Sequence, residues 1–352
     1  MKKFSVLFSI AFFYAQVGLP CSSFFIPNAK QAIFTKSYDW HMGQAHVTVN
    51  KRNVMKSALQ FSSKEASLRW TSKFGSVTFN QYGHEFPLGG MNEKGLAIEI
   101  LWLEGSVYPE PDDRHSLNEL QWIQYHLDTA KDVSELIQKA KNLRVTPVHA
   151  AVHYLACDVT RKCASFEYLG GKLVIHSNLK NNLPVRSITN NTYKQSSRYI
   201  KNYQGFGGKR NIPRDRSSLS RFVRGSSLAQ NFRTQQSTAV DYAFTVLDSV
   251  AAKGSYSKWN IVYNLDQKTV YFKTRFGDTS IKKIKLNDFD YSCKKPVKYL
   301  DIEYRAVGQV AQAFKDYNFA ANKSLVSQSM TEFPEYLKAA VYNYPRSTHC
   351  TE

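Results

Sequence analysis

The sequence predicts an α+β fold: a four-layer αββα sandwich in which two antiparallel sheets pack face to face and helices cover both outer faces. Three observations point to it. Strand and helix signals come in blocks, in the order strands, two helices, strands, two helices, strands. The strands are short and separated by turn residues, whereas the first helix block carries capping signals. Hydrophobic residues make up 43% of the 352-residue chain and aromatic residues 14%, enough for a large core without a cofactor.

Residues 1–20 read as a secretory leader. Met1-Lys2-Lys3 is positive, and Phe4 to Ala15 is almost wholly apolar. About a dozen residues suit a signal sequence and fall short of the ~20 that span a bilayer. No comparable run follows, so the mature chain is expected to be exported, periplasmic or secreted. Residues 21–300 read as one domain. Within it Ser23–Ile26, Ala32–Lys36, Val47–Asn50, Ser76–Asn80 and Leu96–Leu103 are expected strands, with a turn from Gly89 to Gly95. Ser116 and Glu119 have capping-box spacing for a helix to about Asp128, with Leu117, Leu120, Ile123 and Leu127 on one side. Asp132 and Glu135 repeat the signal for a helix to about Lys141. Strands resume at Val148–Ala156, Ala164–Leu169, Lys172–His176 and Arg186–Thr189. Ser217–Gln230 and Thr238–Ala252 read as helices, and Trp259–Tyr263 with Thr269–Lys273 as a hairpin around Asn264–Lys268. Residues 301–352, helical in composition from about Ala306, read as an appended extension.

The net charge is +19; without Lys2 and Lys3, and with no acid in residues 1–20, it is +17. Such a charge favours anionic partners such as envelope lipid, lipopolysaccharide or carboxylate substrates. The basic residues are scattered, however, as on an ordinary solvated surface. No nucleic-acid-binding motif is present, and export argues against that partner.

The five cysteines are odd in number for an exported chain. Cys157 and Cys163 flank an expected turn and can pair locally; Cys293 and Cys350 can then close the C-terminal region, with other connectivities open. That leaves Cys21, the residue directly behind the leader. If processing exposes it, one residue carries a thiol and a free α-amine, with pKa values of about 8.5 and about 7.7–8.0, a nucleophile and a base near neutral pH. A structural cysteine and a lipidated one are the other two readings. Gly18-Leu19-Pro20 fits a lipidation site badly, and it also makes a poor signal-peptidase site.

Several segments occur in an order that resembles the choloylglycine hydrolase family of N-terminal-nucleophile amidases, which includes bile salt hydrolases and penicillin V acylases. They are Cys21-Ser22-Ser23-Phe24, Thr35-Lys36-Ser37-Tyr38-Asp39-Trp40, Gly90-Met91-Asn92-Glu93-Lys94-Gly95-Leu96, Thr189-Asn190-Asn191 and Ser220-Arg221-Phe222-Val223-Arg224. Trp70 to Val77 and Leu101-Trp102-Leu103 look most like its Gram-negative branch, in which exported penicillin V acylases also cleave N-acyl homoserine lactones. The resemblance spans roughly residues 21–280. It implies the N-terminal-nucleophile hydrolase fold, a small-molecule N-acyl amide substrate, no metal or organic cofactor, and a homo-oligomer, tetrameric in many relatives.

It also implies roles. The thiol of Cys21 attacks the amide carbonyl while its own amine takes the proton. Asp39 holds that amine. The side-chain amide of Asn190 and the backbone N–H of Trp102 face the developing oxyanion. Arg221 anchors the surroundings of the nucleophile through charge-assisted hydrogen bonds. Trp40 and Trp102 together suit a phenoxyacetyl or fatty acyl group better than a hydroxylated steroid. Two departures stand out: Lys36 replaces the family's usual arginine, giving up its planar fork, and Thr192 replaces a frequent proline. His149 and His153 have metal-like spacing, but on a strand pattern, and Gly205 to Lys209 lacks P-loop spacing. The expected activity is therefore hydrolysis of a linear amide such as penicillin V or an N-acyl homoserine lactone. The alternatives are a conjugated bile salt hydrolase, or a catalytically silent basic protein held at an anionic envelope surface.

Overall fold

The computed structural model describes residues 21–60, 67–148, 150–233, 237–252 and 254–352. Among them two large sheets dominate. The first has seven strands in the order Ser187–Ile188, Ser22–Ile26, Ile33–Asp39, Ser257–Asn264, Thr269–Thr274, Lys282–Lys285, Gly308–Gln309. The second has nine: Lys172–Ser177, Cys163–Leu169, Val152–Cys157, Ala97–Trp102, Gly89–Asn92, Ser76–Asn80, His46–Asn50, Lys298–Asp301, Lys315–Asp316. Neighbours are antiparallel except the short edge pair Lys282–Lys285 and Gly308–Gln309. The predicted αββα sandwich is the observed architecture.

Alternation along the first two strands sorts residues between layers. Phe25 and Phe34 enter the main core, which Cys21 also joins, while Phe24, Ile26 and Ile33 pack under the helices Ser218–Gln230 and Ala239–Ser249. Contact there is tight: a Cβ on Gly225 would fall 2.2 Å from the Phe24 ring, so any larger residue would push the helix off the sheet. Burying a side chain such as Phe24 contributes about 1.5–3 kcal/mol. The helices Glu119–Thr129 and Val133–Lys141 cover the nine-stranded sheet.

Several boundaries differ from expectation. Gly89–Asn92 is a buried strand rather than part of the turn, which is confined to Glu93–Gly95. Glycine is needed there because a Cβ on Gly89 would meet the Glu99 carboxylate and one on Gly90 the backbone of Val77. Ser116 does not cap a helix; Ser116–Leu117 pairs in parallel with Arg144–Val145, and Asn118 caps Glu119–Thr129 by accepting from Leu120 N and Gln121 N. Asp132 does cap Val133–Lys141, accepting from Glu135 N at 2.9 Å. A helix at Tyr193–Ile200 and short strands at Val54–Ser57 and Arg69–Thr71 were not expected.

Residues 301–352 carry the helices Phe319–Ser329 and Glu335–Asn343, but also edge strands of both sheets. Disulfides join Cys157 to Cys163 and Cys293 to Cys350, and Cys21 is free. Among the described residues, no helix is long and apolar enough to cross a membrane. The leader lies outside them.

Candidate active site

Cys21 precedes the strand Ser22–Ile26 and is 4% exposed. Its Sγ donates to the backbone oxygen of Asp39 at 3.6 Å. Burial pushes the thiol above its ordinary range; the positive charges of Lys36 and Arg221 and the Asp39 carbonyl contact oppose that, while the Asp39 carboxylate adds to it.

Asp39 ends the neighbouring strand Ile33–Asp39 and is buried. Ser257 Oγ donates to its Oδ1, and Ser37 Oγ lies 3.3 and 3.2 Å from the two oxygens. Burial raises the carboxyl's pKa, opposed by these hydroxyls and by Arg221 and Lys36. From the helix Ser218–Gln230, Arg221 reaches back into the sheet. One terminal nitrogen donates to the Cys21 carbonyl and to Ser22 Oγ, each at 2.7 Å, and the other to Asn190 Oδ1 at 2.7 Å. Burial lowers its pKa to about 10, so it stays charged at neutral pH.

That bond settles the orientation of Asn190. Guanidinium only donates, so Oδ1 faces Arg221, and Nδ2 donates to the Trp102 carbonyl at 2.9 Å. The loop around Asn190 is held on both sides. Asn190 N donates to Ser218 Oγ, and the Thr189 carbonyl sits 2.6 Å from His153 Nε2. Thr192 caps the helix Tyr193–Ile200 with a capping box to Gln195. The hydroxyl thus fixes the chain where a proline ring would otherwise have done so.

Trp102 pairs with Val152, while Leu103 N donates to Ala151 O and Ile100 N to Leu88 O. By strand alternation, Trp102 N–H points to the same side as that of Ile100, away from the Val152 strand.

Lys36 is 1% exposed; its Nζ donates to the Ile100 carbonyl and lies 3.9 Å from Glu99 Oε2. Burial raises the Glu99 carboxyl from 4.5 to about 7, against the pull of Lys36 and of the Tyr263 hydroxyl. A folded-state pKa above the unfolded one means stability that is complete below about 4.5 and lost as pH rises through about 7. The loss is on the order of 3 kcal/mol. Thermal melts across that window should show Glu99→Gln free of this part of the slope; parallel wild-type and variant curves would contradict it.

Trp40 and Trp102 stand 6.1 Å apart, tilted by 40°. With Tyr38, Tyr82, Leu88 and Ile100 they wall a cavity of about 900 Å³, open mouth included, that Cys21 also lines. The structure therefore gathers Cys21, Lys36, Asp39, Trp40, Trp102, Asn190 and Arg221 around one place. Sequence reasoning missed Ser257, Ser22 as a partner of Arg221, Glu99, and the cavity residues Met330, Phe333 and Val341. Ser22 stood inside a motif; the others had no local signal. His153 lies in a strand beside Thr189, while His149 is outside the described residues. Among the described residues no cluster of His, Cys, Asp or Glu is placed to hold a metal.

The sequence pattern of the linear amide C-N hydrolases, choloylglycine hydrolase family, matches residues 21–299. A penicillin V acylase of Pectobacterium atrosepticum is 30% identical over 264 residues, 69% of this chain and 66% of that protein, just under two thirds of its length. The structure of a penicillin V acylase from Agrobacterium tumefaciens superposes with a TM-score of 0.74 at 27% identity, covering 85% of this chain and 98% of that one. A conjugated bile acid hydrolase from Clostridium perfringens shares the fold at a TM-score of 0.67 and 18% identity, covering 82% of this chain and 98% of that one. The chain belongs to the choloylglycine hydrolase family of linear amide C-N hydrolases and has its N-terminal-nucleophile hydrolase fold.

Proposed function

We propose that this protein is an exported acylase that uses Cys21, freed as the N-terminal residue, to hydrolyse a linear N-acyl amide with an apolar acyl group. The observation that carries the reading is a lone free cysteine lining an aromatic-walled cavity, with Asp39, Asn190 and Arg221 wired around it.

The chemistry follows from the arrangement. The acyl group enters the cavity and places its carbonyl carbon at Cys21 Sγ. The sulfur attacks as the α-amine takes the thiol proton, and Asp39 steadies the resulting ammonium. Negative charge collects on the former carbonyl oxygen, met by the second Nδ2 proton of Asn190 and the backbone N–H of Trp102. Collapse breaks the C–N bond, and the leaving nitrogen receives the proton held by the ammonium. Water then attacks the thioester, giving one proton to the amine. The carboxylic acid departs and the thiol is restored. Lys36 lowers the cost of negative charge on sulfur as a point charge, without the fork of an arginine. That two of the similar proteins are penicillin V acylases supports, for this chain, a phenoxyacetyl-like donor over a conjugated bile salt.

Intact-mass measurement of the exported protein, followed by turnover of penicillin V, N-acyl homoserine lactones and a conjugated bile salt, tests the reading. A mature chain beginning at Cys21 that releases phenoxyacetate or fatty acid is expected. A chain beginning at Gln16 or Leu19, or one starting at Cys21 that is inert to the whole panel, rejects it and favours a silent basic protein of the envelope.

A further inference from the structure

We infer that the C-terminal helical pair forms the far wall of the acyl cavity, so that Phe333 sets the length of acyl chain the site admits. This rests on reading the cavity as the acyl site. The cavity joins two separate apolar clusters. Cys21 belongs to the main core between the sheets, whereas Phe86, Val326, Met330, Val341 and Tyr344 form a second cluster to which Phe333 is packed. Met330 and Phe333 lie in the connection between the helices Phe319–Ser329 and Glu335–Asn343, and Val341 in the second helix; all three line the cavity. The family pattern ends at residue 299, so this wall comes from sequence outside it.

The wall is fixed in place rather than draped over the opening. Tyr344 Oη donates to Ser57 O at 2.7 Å, and Asn322 Oδ1 accepts from His84 N at 2.8 Å. The Tyr344 and Phe86 rings meet edge to face at 5.2 Å. The Cys293–Cys350 disulfide ties down the chain end. At Gly83, with φ +94°, a Cβ would fall 2.7 Å from Val326, so the helix sits directly on this turn.

Two polar side chains lining the cavity, Asn118 and Glu119, are already engaged, while the buried Nε1 of Trp40 has no partner. Asn118 Oδ1 caps its helix, and the Glu119 carboxylate accepts from Val148 N and Ala150 N at 2.8 and 3.0 Å. A hydroxylated ligand would find few free partners; a linear aliphatic chain needs none. Such a chain is discriminated by how far it reaches, at roughly fourfold in kcat/KM per methylene buried or displaced.

The test measures kcat/KM for N-acyl homoserine lactones from butanoyl to tetradecanoyl with the processed wild type, Phe333→Ala and Phe333→Trp. In parallel, the free fatty acids of the same series displace an environment-sensitive fluorescent fatty acid from each protein. Phe333→Ala should move the optimum to longer chains and Phe333→Trp to shorter ones, by about fourfold in relative kcat/KM per methylene, with the displacement profile moving alike. Length profiles that superimpose in all three proteins, with the wild type active, overturn the wall and leave the acylase reading standing. Displacement profiles that shift while no protein turns over any amide support the wall and overturn the acylase reading.

Discussion

Replacing Cys21 by alanine is expected to lower amide turnover by roughly 10⁴- to 10⁶-fold, the range seen when a member of a catalytic nucleophile system is removed, while the protein still folds. The size of the loss follows from the environment of the sulfur. Its thiol is buried, and burial pushes its pKa up against the charges of Lys36 and Arg221. No other free cysteine exists among the described residues to take over the attack. Folding should survive because the side chain lines a cavity, and the bonds that Arg221 makes here go to the Cys21 backbone carbonyl and to Ser22, which the substitution leaves intact. Cys21→Ser keeps shape but raises the nucleophile's pKa further, and should fall nearly as far. Phenoxyacetate or fatty-acid release, read beside a thermal melt, checks both variants. Turnover within tenfold of wild type from a properly folded Cys21→Ala protein would remove the mechanism. The same sample resolves maturation: a variant still joined to Pro20 indicates self-trimming, and one that begins at residue 21 indicates another peptidase.

The fold was legible because alternation and capping are local. Phe24 and Phe25 announce opposite faces of a strand simply by being adjacent, and Asp132 identifies the start of its helix three residues before Glu135. Where reading failed, a tertiary demand had overridden a local rule. Gly89 and Gly90 have turn composition, yet they are strand residues because Glu99 and Val77 need the space. Ser116 has capping spacing but is held in a strand bridge, and Asn118 takes over. The helix Tyr193–Ile200 is a different case: its signal was local, the capping-box spacing of Thr192 and Gln195, and the reading passed over it. The site divides the same way. Cys21, Asp39, Asn190 and Arg221 were readable through ordered motifs, whereas Ser257 reaches Asp39 across 218 residues of sequence, and Phe333 reaches the cavity only because the last helices fold back on the sheet. Nothing in the immediate neighbourhood of either residue encodes that approach.

Asn190→Ala is expected to reduce kcat by about 10²–10³-fold, or about 2.7–4 kcal/mol, with KM little changed, as for removal of one oxyanion donor. The split between the two constants is the informative part. The ground-state acyl group is held by apolar walls, and Asn190 matters only once charge develops on the carbonyl oxygen. Asn190→Asp separates this role from a structural one. Aspartate can still accept from Arg221, and a carboxylate there would pair with the guanidinium more strongly than the amide does. It cannot donate, and it would face the Trp102 carbonyl, and the developing oxyanion, with negative charge. The aspartate variant should therefore be at least as inactive as the alanine variant while melting no lower. If Asn190→Asp instead kept kcat within fivefold of wild type, the side chain would be serving only to hold Arg221, and the oxyanion would have to be met by backbone N–H groups alone.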